Sequence, residues 1–315
     1  MEPDGVPHPS IANNAVPAAP YSRRAPSPPF IHIPPTGHAN DSVPGLMPSY
    51  ENVDPSQLTA RDVEIITQNV TQFATDRATD WSYEQRRDAQ QVLDFLYLGP
   101  NSVARDHAFL ERVGITMMLV VRDRRMASIQ LQSVEKAARA LNIAVHYVDI
   151  GGNDEIIRAL PDTIRAINDH LLAIYHSQAR SKSQDGKLIV DPSTFRRGKV
   201  LFACETGNDR SAAVAAAYIM AVFGKDMVTT VQFICVQRFC CCFDEDIKRK
   251  LQSWEDILRA RSQVAAQTAM PQQGMHAKRH IEDFMDTDMD EMKDEWTEDR
   301  DRFQGRQAFV PFVDM

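Results

Sequence analysis

Residues 199–214 read Lys-Val-Leu-Phe-Ala-Cys-Glu-Thr-Gly-Asn-Asp-Arg-Ser-Ala-Ala-Val, and this run constrains the fold more than any other feature of the chain. A short apolar segment ends at Cys204, a tight loop carries Gly207, Arg210 follows, and an alanine-rich helix starts. A strand that feeds a loop closed by a helix N-terminus gathers unpaired backbone N–H groups at one point, and the helix dipole favours negative charge there. A cysteine at the entrance of such a loop is favoured as its thiolate. An arginine on its far side can hold two oxygens of a tetrahedral anion in its planar fork.

Around this junction the apolar pattern alternates between strand and helix periods. A helix is expected over 59–76, with Val63, Ile66, Val70 and Phe73 on one face, followed by a linker near Thr79 and Asp80. Strands are expected at 91–99, 115–121, 144–150 and 199–203. Helices are expected at 102–113 (closed by Gly114), 129–141, 156–176, 211–223, 227–238 and 244–261. Strands alternating with helices imply an α/β fold, a central and mainly parallel sheet with helices on both faces. Ligands of such sheets bind beyond the carboxyl ends of the strands, where Cys204 stands. Residues 178–198 form a polar insert that reads as a surface loop.

Of the 18 prolines, thirteen lie in the first 55 residues, so 1–57 is expected to be a disordered Pro-rich segment. Residues 58–80 are the helix and linker, 81–262 the α/β domain, and 263–315 an acidic, largely disordered tail. Within the tail, Ile281, Phe284, Met285, Met289, Met292 and Trp296 fall at helical spacing. That stripe is either chance patterning or a segment that folds onto a partner or its own domain. The absence of an apolar leader or spanning run implies a soluble, intracellular protein, cytoplasmic or nuclear, with no membrane partner. A net charge of −8 argues against nucleic acid. The five cysteines, Cys204, Cys235, Cys240, Cys241 and Cys242, fit neither a disulfide framework nor a zinc site. Packing is the plain reading of the last four, with a backup disulfide to Cys204 as the alternative.

Cys204 and Arg210 stand in the Cys-x5-Arg arrangement of the cysteine-dependent phosphatases, and the surrounding residues narrow the resemblance. From about Trp81 to Ala260 the chain resembles an atypical dual-specificity phosphatase of the STYX type, whose members are phosphatase-like proteins that interact with phosphorylated proteins. The carrying residues are Leu96-Tyr97-Leu98-Gly99-Pro100, Gly114-Ile115-Thr116, Asp149-Ile150, Ile156-Ile157-Arg158, Gly198-Lys199-Val200-Leu201, Arg210-Ser211-Ala212-Ala213, Ala217-Tyr218-Ile219-Met220 and Gln237-Arg238-Phe239-Cys240. The resemblance implies a cysteine-phosphatase fold, no metal or organic cofactor, and phosphorylated proteins as partners, signalling kinases among them. Oligomeric state is not indicated.

It also implies roles. Cys204 is the nucleophile that forms a cysteinyl-phosphate. Arg210 and the backbone N–H groups of Glu205, Thr206, Gly207, Asn208, Asp209 and Arg210 hold the phosphoryl oxygens. Ser211 helps the sulfur leave. A carboxylic acid protonates the leaving oxygen and then activates water. Asp154 is the candidate for that acid, with a helix-capping role as its alternative; Asp149, within a strand, is a poorer one. Two departures from the family bear on activity. Ala203 replaces the histidine that usually precedes the nucleophile, and Glu205 and Asp209 set carboxylates at the edges of an anion cradle. The phosphatases that activate cyclin-dependent kinases carry acidic residues at the same two positions and remain catalysts. The nucleophilic cysteine, lost in the best-known STYX-type member, is kept here. Three functions follow. The first is a slow phosphatase acting on phosphotyrosine, with phosphothreonine as a second substrate. The second is a pseudophosphatase that binds and shields or anchors phosphorylated signalling proteins. The third is a scaffold that works through its tails.

Overall fold

The computed structural model describes residues 30–34, 45–50, 53–55, 57–75, 77, 80–179, 181–182, 188–191 and 194–269. The chain falls into two compact units, Met1–Gln267 and Thr268–Met315. In chain order the elements are β1 (Gly45–Leu46), α1 (Ala60–Thr67), β2 (Gln72–Phe73), β3 (Gln90–Leu93), β4 (Leu96–Pro100), α2 (His107–Val113), β5 (Met117–Asp123), α3 (Gln132–Leu141), β6 (Ala144–Ile150), α4 (Asn153–Ser177), β7 (Ser181–Lys182), β8 (Leu188–Ile189), β9 (Val200–Cys204), α5 (Arg210–Phe223), α6 (Met227–Gln237) and α7 (Glu245–Ala269). Among the described residues no helix is long and apolar enough to cross a membrane.

The main sheet runs β3-β4-β9-β5-β6, with β3 antiparallel to β4 and every other pairing parallel. This is the expected α/β architecture. β9 is its central strand and is buried along its whole length, as a strand covered on both faces must be. Period-2 alternation divides its side chains between two cores. Val200, Phe202 and Cys204 join the core formed with α4, α5, α6 and α7, and Leu201 and Ala203 join the smaller core formed with α2 and α3. Helix α5 is buried from Ser211 to Phe223, and its alanines let it approach the sheet closely. Fully burying each larger side chain, such as Phe202 or Phe223, contributes about 1.5–3 kcal/mol. Tyr218 adds a hydroxyl bond to Asn168 at 3.0 Å.

The structure departs from the sequence expectation in several places. The helix expected over 59–76 ends at Thr67, because Gln68 and Asn69 take left-handed backbone conformations. Val70 and Phe73 are consequently exposed and share no face with Val63 and Ile66. The single strand at 91–99 is two strands, β3 and β4, joined at Asp94-Phe95, with the side chain of Phe95 turned wholly into the core. Helix α4 starts at Asn153, three residues ahead of expectation, and so takes Asp154 into its first turn. Part of the insert forms the β7–β8 hairpin. Its ends are clasped by Gln178, whose side chain donates to the Arg196 carbonyl and accepts the Arg196 N–H, each at 2.8 Å. Helix α7 runs past 262 to Ala269.

The span 1–57 is not uniformly without structure. Leu46 is fully buried, β1 pairs with β2, and Ile31 and Ile33 pack against the core. Three side chains grip the 30–34 backbone. Glu245 accepts the Ile31 N–H at 2.9 Å, Lys248 donates to the Ile31 carbonyl at 2.8 Å, and Gln232 donates to the Pro34 carbonyl at 2.7 Å. The apolar stripe at 281–296 lies outside the described residues.

Candidate active site

The site begins with register. Cys204 ends β9 opposite Pro100 of β4, so its side chain stands at the carboxyl edge of the sheet. The chain then turns sharply enough that Gly207 takes φ +75°, and Arg210 opens α5. Asp209 caps that helix through Oδ1, which accepts the Arg210 N–H at 2.9 Å.

Two donors converge on the sulfur. The Gly207 N–H and the Ser211 hydroxyl each donate to Cys204 Sγ at 3.1 Å, and donors in these positions stabilise negative charge on sulfur. Cys204 and Ser211 are both buried. A third contact has the opposite sense: the Cys204 thiol donates to Asp209 Oδ1 at 3.2 Å. The same oxygen accepts the Thr206 hydroxyl at 2.9 Å, and Thr206 Oγ1 accepts the Asn208 N–H at 3.1 Å. Loss of solvent alone would push the Asp209 carboxyl up. The bonds from Cys204, Thr206 and the Arg210 N–H outweigh it and hold the group below the ordinary carboxylate value. Glu205 is exposed.

The loop is braced from outside by residues the sequence reading gave no role. Arg238, 1% exposed, donates to the carbonyls of Gly207 (3.1 Å), Asp88 (2.8 Å) and Arg86 (3.0 Å) and to Asn208 Oδ1 (2.9 Å). The Cys240 thiol also donates to Asn208 Oδ1, at 3.3 Å, and the Cys242 N–H to the Asn208 carbonyl, at 2.9 Å. All five cysteines carry free thiols. The Arg210 guanidinium, one third exposed, lies 3.4 Å from Asp123 Oδ2 at the end of β5. Asp123 was legible only as the carboxylate next after an apolar strand, and Arg238 only as part of the family match.

Asp154 is held by α7. Its side chain is 89% exposed and ion-paired with Lys250 of α7. That hydrogen bond, then the lysine's charge, hold its carboxyl below the ordinary value. Asn153 donates to Asp246 at 2.8 Å, so the first turn of α4 is joined to the first two turns of α7 by two contacts. Asp149 is committed to Arg122 of β5 at 2.5 Å, a pairing across neighbouring strands. Ala203 pairs with Gly99 and Val120 inside the smaller core, where the family's histidine would stand.

The chain is 30% identical over 190 residues to a serine/threonine/tyrosine-interacting protein of Mus musculus, covering 59% of this chain and 73% of the relative. The Homo sapiens protein of the same name is 29% identical over 204 residues, 64% of this chain and 78% of the relative. Among solved structures, the human tyrosine phosphatase-like serine/threonine/tyrosine-interacting protein aligns at 26% identity with a TM-score of 0.41, over 54% of this chain and 97% of that one. Human DUSP28 aligns at 22% identity and a TM-score of 0.39, over 54% of this chain and 95% of that one. No family model matches the sequence.

Proposed function

Since the chain belongs to the family of serine/threonine/tyrosine-interacting, dual-specificity-phosphatase-like proteins, we propose that it is a slow cysteine-dependent protein phosphatase. Its substrates are phosphotyrosine and, second to it, phosphothreonine in signalling proteins of the cytoplasm or nucleus. The observation that carries the reading is the pair of donors, Gly207 N–H and Ser211 Oγ–H, on Cys204 Sγ. A cysteine kept only for packing has no need of them.

In the first step the Cys204 thiolate attacks phosphorus as the bond to the leaving oxygen breaks. The loop N–H groups from Glu205 to Arg210 and the Arg210 guanidinium take the charge that gathers on the equatorial oxygens. The leaving oxygen takes a proton from a carboxylic acid, the role assigned to Asp154 once it leaves Lys250. Water, giving a proton to the same carboxylate, then attacks phosphorus as the S–P bond breaks, and Ser211 stabilises the departing thiolate.

The second reading, a binder of phosphorylated proteins without turnover, is favoured by one observation: the Asp154–Lys250 ion pair leaves the candidate acid engaged elsewhere. Turnover of a tyrosine-phosphorylated peptide by the full chain, against Cys204→Ser, separates the two. A rate that vanishes with the cysteine supports the enzyme. No rate above that control, together with phosphopeptide binding that is lost in Arg210→Met, overturns the enzyme in favour of the binder.

A further inference from the structure

Asp209 is exposed, yet its Oδ1 is turned onto the Cys204 sulfur and the first N–H of α5. We infer that Asp209 is a resident anion of the loop, standing where an oxygen of a bound phosphoryl group must stand, so that a ligand enters only by displacing it. The inference rests on the reading of 204–210 as an oxyanion site.

A phosphoryl group that reacts with Cys204 has to approach Sγ and share the N–H groups at the start of α5. Asp209 Oδ1 lies 3.2 Å from that sulfur and accepts the Arg210 N–H at 2.9 Å. One position cannot hold both the carboxylate oxygen and a phosphoryl oxygen, and two like charges at contact distance oppose each other strongly. Thr206 extends the arrangement. Its hydroxyl donates to Oδ1 and accepts the Asn208 N–H, so a further loop donor is already turned to an internal partner. The neighbouring cations are drawn elsewhere, Arg210 towards Asp123 and Arg238 to Gly207 O and Asn208 Oδ1. The carboxylate is ionised at neutral pH, since its donors hold it below the ordinary value.

The consequence is a filter on ligands. A small free anion must displace Asp209 with its own contacts alone. A phosphorylated protein adds contacts outside the loop and can hold the displaced state. The class selected is therefore phosphoproteins over free phosphate or small phosphate esters.

Tungstate and inorganic phosphate, titrated calorimetrically into the full chain, test this with no turnover needed. Asp209→Ser removes the charge and keeps a helix cap, while Asp209→Asn keeps the shape. Either variant, checked for folding by thermal melting, is expected to bind tungstate at least about tenfold more tightly than the natural chain, because a facing negative charge is removed. Arg210→Met is expected to abolish binding in every background. Unchanged or weaker binding in both Asp209 variants, with binding still lost in Arg210→Met, overturns the resident anion and leaves the loop reading standing. No tungstate binding by the natural chain, Asp209→Ser or Asp209→Asn overturns the oxyanion site and the inference with it.

Discussion

Gly207 lies against the Gly99–Pro100 peptide of β4: a Cβ at Gly207 would stand 2.2 Å from the Gly99 carbonyl carbon and 2.4 Å from the Pro100 nitrogen. The loop after β9 is thus seated directly on the neighbouring strand, with no room for a side chain between them. Gly207 also sits at φ +75°, where an L side chain is strained. Gly207→Ala therefore has to push the loop off β4. The expected result is a loss of more than about 2 kcal/mol of stability, together with loss of anion binding. Thermal unfolding and tungstate titration of the variant check it; a melt like that of the natural chain would show that the loop can shift at little cost.

Ser211 is fully buried and spends its hydroxyl on the Cys204 sulfur at 3.1 Å. Ser211→Ala fits the alanine-rich start of α5, so its effect on stability should stay within about 1.5 kcal/mol, the worth of one hydrogen bond. Its effect on chemistry should fall on the second step, in which sulfur leaves. Hydrolysis of the cysteinyl-phosphate is expected to slow about tenfold or more on losing that donor. Intact-mass measurement after a single turnover should then show the phosphorylated protein accumulating, which the natural chain should not do.

His146 on β6 and His170 on α4 are both held below the ordinary imidazole value of 6.5 by burial. His170 also meets the Thr116 hydroxyl at 2.9 Å, and that hydroxyl donates to Lys199 O just ahead of β9. The unfolded chain takes up protons near pH 6.5, whereas the folded chain does so only lower. The stability these histidines contribute is therefore complete above pH 6.5 and is lost as pH falls through their folded values. The melting temperature should drop from pH 7 to pH 5, and the drop should be shallower in the double variant His146→Gln, His170→Gln. An identical slope in that variant would assign the acid sensitivity to carboxylates instead.

The loop was legible because its parts are contiguous. Residues 199–214 bring strand, cysteine, glycine, arginine and helix together without help from the rest of the fold. Strand β6 was read at 144–150, its observed bounds, because Val145, Tyr147, Val148 and Ile150 favour a strand and the Gly151-Gly152 pair ends it. The braces were not legible. Asp123 and Arg210 meet across 87 positions, and Arg238 reaches Arg86 across 152, so only the folded sheet makes them neighbours. The hairpin at 94–95 was hidden for a different reason. Its turn offers Asp94 as its one turn-favouring residue, with no glycine or proline, and Phe95 is apolar because the turn itself is folded into the core. Leu46 likewise carries no periodic neighbours in a proline-rich stretch, and its burial comes from β1 pairing with β2 rather than from any local pattern.

Lys250 decides how far Asp154 can serve as an acid. A general acid has to carry a proton when the leaving oxygen departs. The ion pair works against that, because the lysine's hydrogen bond and charge favour the carboxylate and hold it below its ordinary value of 3.8. The pair lies at the surface, with the Asp154 side chain almost wholly in solvent, so it adds little to stability and its loss should leave the fold intact. In Lys250→Met the hydrogen bond and the larger charge effect disappear, and only the weaker pull of Arg158 remains. The Asp154 carboxyl then titrates higher and is free to move towards the loop. Turnover in the mildly acidic range should rise severalfold, and adding Asp154→Asn should remove the gain while Cys204 stays reactive to alkylation. If the pH profiles of Lys250→Met and the natural chain superimpose, Asp154 does no more than start α4, and the proton must come from another carboxylate. Asp123, beside Arg210 at the end of β5, is then the group to replace next.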